Sequence, residues 1–102
     1  MNKYHDTIYA LEKGLEPTMK CFGNSMLPIL TNPSLNTYKA QTTYAVGDIV
    51  FCKVKGRFID AHLVTKIGPD GRYMIANNKG WENGWTNTIY GRRHKTKMAM
   101  KG

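Results

Sequence analysis

The chain has 102 residues, 41% of them hydrophobic and 22% charged, with a net charge of +8. That balance fits one soluble globular domain with a modest core and argues against a disordered or fibrous chain. No apolar run approaches the ~20 residues that span a bilayer, and the opening MNKYHDTIYALEKGLE lacks a signal-peptide core, so no membrane association and a cytoplasmic location are expected.

Residues 1–17 form an N-terminal arm, with a helix expected from Asp6 to Leu15. Asp6 can cap it, Ile8, Leu11 and Leu15 share one face, and Gly14 and Pro17 close it. Residues 18–91 read as a compact, mainly β domain of antiparallel strands. TMKCFG is a short strand, TNPSLN a loop rich in turn formers, and TTYAVGDIVFCKV a strand entered through a turn at Gly47-Asp48. Lys55-Gly56 turns into RFIDAHLVTKIG, and Pro69-Asp70-Gly71 is a hairpin turn returning as RYMIANN. NNKGWENGW reads as a polar loop before the last strand, TNTIYGRR. Residues 92–102 form a basic tail.

Cys21 and Cys52 are too few for a disulfide scaffold and too widely spaced for a zinc pair. Reduced, partly buried thiols are expected, with no metal and no cofactor.

The stretch GNSMLPIL, Gly23 to Leu30, holds the main candidate for chemistry. Gly23 permits close backbone approach, and Pro28 stiffens the turn after Ser25. A serine hydroxyl attacks a carbonyl only when a neighbouring base takes its proton. The same residues also suit a simple loop or helix start, with Asn24 or Ser25 as cap.

Three segments in order, GNSMLPIL, VGDIVFCKVKG and HLVTKIGPDGRYMIANN, resemble the superfamily of signal peptidases and the self-cleavage domains of LexA-type repressors. In that family a G-x-S-M-x-P-x-L box presents the serine. A G-D-x-V strand follows, and the next strand supplies the base. His62-Leu63-Val64 stands where the histidine-type members carry H-R-V, and Asn77-Asn78 match the end of their GDNN segment. The resemblance covers roughly residues 18–91 and implies Ser25 as nucleophile, His62 as general base, and the Ser25 and Met26 amides as oxyanion donors. It implies a peptide or protein substrate held in extended form. Histidine-type members place aspartates after the Asn pair; this chain has Glu82 as the nearby carboxylate able to orient the base. Lys66 and Lys53 are alternative bases, Lys66 being too far along the strand and Lys53 out of register. Neither the family's membrane anchor nor its DNA-binding module is expected in this chain, and in this it is similar to minimal stand-alone versions encoded by phages.

A non-catalytic module is the alternative. Trp81 and Trp85, with the tail residues Arg92, Arg93, Lys95 and Lys97, could engage a host protein or nucleic acid. The plainer reading is that the tryptophans cover the core and the tail is solvated.

Overall fold

Asn2, not Asp6, starts the helix. In the computed structural model, which describes residues 2–98 and gives 95–98 as backbone, α1 spans Lys3–Glu12. The Asn2 side chain accepts the His5 amide at 3.0 Å, and Asp6 lies in the first turn, where a carboxylate suits the helix dipole. Gly14, at φ +80°, ends the helix by letting the Gly14 and Leu15 amides fold back onto the carbonyls of Leu11 and Ala10. Leu15 therefore lies outside α1 and is exposed. The buried face is Tyr4, Thr7, Ile8 and Leu11.

The strands are β1 (Thr18–Cys21), β2 (Ser34–Lys39), β3 (Ile49–Val54), β4 (Arg57–Ile67), β5 (Tyr73–Ala76), β6 (Glu82–Thr86) and β7 (Ile89–Met98). They make one antiparallel sheet in the order β1-β2-β7-β3-β4-β5-β6. The protein is mainly β with one N-terminal helix, as its sequence leads one to expect. Lys55 and Gly56 both take positive φ, the two-residue hairpin geometry that matches strand twist. Asp70 fixes the next hairpin by accepting from the Arg72 amide and guanidinium.

Three segments depart from expectation. Residues 34–36 begin β2 instead of finishing a loop, because Asn36 donates to Ser34 and both can be buried. Residues 82–86 are strand β6. Residues 92–98 are not a free tail: they continue β7 and pair with β2 from Lys39↔Arg92 to Ser34↔Met98. Lys101 lies outside the described residues.

β3 is buried on both faces. Val50, Cys52 and Val54 meet Tyr44, Val64 and Ile75 inside the curled sheet. Phe51 points the other way, beneath α1, into Leu11, Met19 and Tyr38. Ile49 joins Cys21, Met26, Leu30 and Ala61 under the serine loop. Bulges in several ladders sharpen the curl. The link from β6 to β7 thereby reaches β3, where the Lys53 carbonyl accepts the Thr86 hydroxyl at 2.6 Å. No helix among the described residues is long and apolar enough to cross a membrane.

Candidate active site

Ser25 sits in the loop between β1 and β2, held from several directions. Gly23, at φ +118°, makes the entry turn, and its amide donates to Asn32 Oδ1 at 2.9 Å. Asn32 Nδ2 donates in turn to Asn24 Oδ1. The buried side chains of Met26 and Leu30 pin the loop from below. From the far side, Asn78 donates its amide to the Ser25 carbonyl at 3.1 Å and its Nδ2 to the Leu27 carbonyl at 2.9 Å. Ser25 itself is half-exposed. The Leu27 amide closes the turn on Asn24, whereas the Ser25 and Met26 amides donate to no acceptor among the described residues.

His62 comes from β4, where the ladder to β3 slips. Val50 faces His62 and Cys52 faces Ile59, so Asp60 and Ala61 together oppose Phe51. Ala61 takes φ +59°, a left-handed conformation that a side chain resists. This bulge turns Asp60, Ala61 and His62 toward one recess, although strict alternation would send Ala61 to the opposite face. The recess holds about 40 Å³ and is also lined by Ser25, Cys21 and Ser34. His62 Nδ1 lies 3.1 Å from the Asp60 carbonyl. A carbonyl only accepts, so Nδ1 carries the proton and Nε2 is the ring's available base.

The structure thus brings Ser25 and His62 to one pocket; no hydrogen bond joins them among the described residues. Glu82 is not brought there. It lies on β6, opposite Ala76, and pairs with Lys66 at 3.0 Å. Lys66 is thereby committed, and Lys53 lies over the Phe58 ring. The carboxylate of the pocket is Asp60, with Lys3 Nζ at 3.6 Å. Its spacing from His62, two positions on one strand, is the signal that marks it in the sequence.

Trp81 and Trp85 belong to no core cluster; Trp81 is 71% exposed, and the ring edge of Trp85 lies against Gly68. Neither Arg92 nor Arg93 lines the cleft around Trp81. Arg92 Nε donates to Gln41 at 2.7 Å, Arg93 is half-buried, and the side chains of Lys95 and Lys97 lie outside the described residues. The cations sharing a cleft with Trp81 are Lys55 and Arg57, which the sequence reading misses.

Substituting Ala61 tests the bulge. Ala61→Val forces a β-branched residue into left-handed backbone at a site only 2% exposed and is expected to lower stability by about 2 kcal/mol. Ala61→Gly should stay within about 1 kcal/mol of the parent, relief of strain offsetting the lost methyl and the more flexible unfolded chain. A thermal melt of the valine variant at the parental temperature would show that the bulge carries no strain.

Both thiols are free and buried. Burial first, then the Asp60 charge, pushes Cys21 up to about 11 and Cys52 to about 12. Neither is a thiolate at neutral pH, which removes Cys21 as the pocket's nucleophile. A disulfide exchange reagent should leave both intact in the native protein and titrate both in denaturant. Unfolded thiols ionise near their ordinary value of 9.0, well below the folded ones. Their contribution to stability is therefore complete below that pH and falls as pH rises through about 11 to 12. Melts that do not shift downward on the alkaline side would contradict this.

Comparison with protein-family models, curated proteins and solved structures finds no match to this chain.

Proposed function

We propose that the chain is a serine peptidase of the signal-peptidase and LexA-cleavage type, acting on an extended peptide. The observation that carries this reading is the shared pocket of Ser25 and His62, far apart in sequence, with the imidazole oriented by the Asp60 carbonyl. Ser25 Oγ attacks the scissile carbonyl carbon while His62 Nε2 takes the hydroxyl proton. The resulting oxyanion is stabilised by the Ser25 and Met26 amides, and the Asp60 carboxylate in the pocket wall offsets the imidazolium charge. The imidazolium then protonates the leaving amine as the C–N bond breaks. Water, deprotonated by His62, hydrolyses the acyl-enzyme and restores the serine. A pocket of about 40 Å³ admits only a small side chain beside the cleaved bond.

The test is labelling with a fluorophosphonate, mapped by mass spectrometry of the digested protein. Modification at Ser25, lost in Ser25→Ala, is the expected result. Absence of labelling at neutral and mildly alkaline pH overturns the reading and leaves a module that binds without cleaving.

A further inference from the structure

Among the described residues, the outer edge of β4 is open beside the serine pocket. β4 pairs with β3 along Arg57–Leu63, but β5 joins its other side only from Leu63 to Ile67. Where β5 ends, a gap remains between that edge and residues 81–83. It forms a cleft of about 400 Å³ lined by Lys55, Arg57, Phe58, Ile59, Trp81 and Glu82, among others. Phe58 packs toward the α1 side of the sheet and Ile59 toward the curled interior. Both touch the cleft, so it opens on the strand's edge rather than on one of its faces.

The chemistry of this cleft is specific. Lys55 and Arg57 enter no ion pair among the described residues, whereas the Glu82 carboxylate is already held by Lys66. Two uncommitted cations therefore stand beside an indole that is 71% exposed. Phe58 is four positions from His62 on the same strand, at most ~13 Å at strand spacing and less where the bulge at Ala61 shortens the strand. That distance matches about three or four residues of an extended peptide.

We propose that the cleft is a specificity subsite for an acidic side chain, Asp or Glu, of a peptide that pairs with the open edge of β4. Its placement about three or four residues from the cleaved bond rests on the peptidase reading. Main-chain hydrogen bonds to the edge hold the peptide, and Lys55 and Arg57 select its charge. A peptide suits the site better than a nucleic acid. An open strand edge offers backbone donors and acceptors that another peptide backbone satisfies, whereas a phosphodiester chain has no N–H groups to return to the edge carbonyls.

The test uses Ser25→Ala protein, titrated by amide NMR with three otherwise identical alanine- and threonine-rich peptides carrying Glu, Gln or Lys at one position. The Glu peptide should bind about fivefold tighter than the Gln peptide and about tenfold tighter than the Lys peptide. Shifts should fall on the amides of residues 57–62 and on the Trp81 indole. Arg57→Gln should shrink the preference and Arg57→Glu invert it, with melting temperatures unchanged because the side chain is exposed. Equal binding of the three, no binding at millimolar peptide, or a preference indifferent to Arg57 overturns the proposal. So does displacement of the peptide by oligothymidylate with shifts centred on Trp81, which marks a nucleic-acid site. Charge-selective binding without acylation of Ser25 in the parent protein sinks the peptidase reading alone. Acylation without charge selectivity sinks the subsite alone.

Discussion

Replacing His62 with alanine is expected to slow fluorophosphonate acylation of Ser25 by about a thousandfold or more, because the hydroxyl would then lose the proton acceptor proposed for it. Asparagine at the same position separates two explanations. Its side-chain amide can still donate toward the Asp60 carbonyl, yet it cannot accept a proton at catalytic rates. A loss as large as alanine's assigns His62 the role of base, whereas partial retention would point to packing. Asp60→Asn should have a smaller effect, about tenfold, since the backbone carbonyl that orients the ring survives and only the carboxylate charge is lost. Glu82→Gln should change nothing in acylation, because that carboxylate is spent on Lys66. Parental labelling by the His62→Ala protein would end the general-base assignment.

Phe51→Ala is expected to be the most damaging core substitution. The ring is fully buried, with Tyr90 at 4.9 Å and Tyr4 and Tyr38 each at 5.9 Å between ring centroids. Truncating a buried phenylalanine removes about 3–5 kcal/mol, against roughly 5–15 kcal/mol for a whole domain. The melting temperature should drop by on the order of 20 °C. Phe22→Ala is the control, since Phe22 is 69% exposed at the rim of the serine pocket, with the ammonium groups of Lys3 and Lys20 over its ring. Comparable losses in the two variants would mean that the helix-side aromatic cluster is not a principal source of stability.

Much of the β architecture is legible in the chain because its signals are local. Val50, Phe51, Cys52 and Val54 form an apolar run bounded by Gly47-Asp48 and Lys55-Gly56, and that run is β3. Segments whose stability comes from distant partners are not legible in this way. TNPSLN looks like loop because Ser34 and Asn36 are polar, yet the bond between those two side chains helps both to be buried in β2. ENGWT contains Asn and Gly, both turn formers, yet pairs with β5 as strand β6. The basic composition of residues 92–98 suggests a solvated tail, but β2 supplies a ladder that composition does not reveal. Within the candidate site, the residues spanning 23–30 and His62 are marked by their motifs. Glu82 is near in sequence to Asn78 but lies beside Lys66, whereas Asp60 stands two positions before His62 on the same strand; the bulge that also turns Ala61 into the pocket is what no residue-level pattern announces.

That pairing of β7 with β2 also bears on how the molecule comes into being. The backbone ladder joining β1 and β2 to the other strands runs through Arg92–Met98. During synthesis, the segment that carries Ser25 is made long before the residues that tie its flanking strands in place. Contacts so distant in sequence form late and slowly. A nascent chain should therefore assemble its central hairpins first and dock the serine loop last, and clipping the chain at Arg92 should release the early strands rather than trim a dispensable appendage.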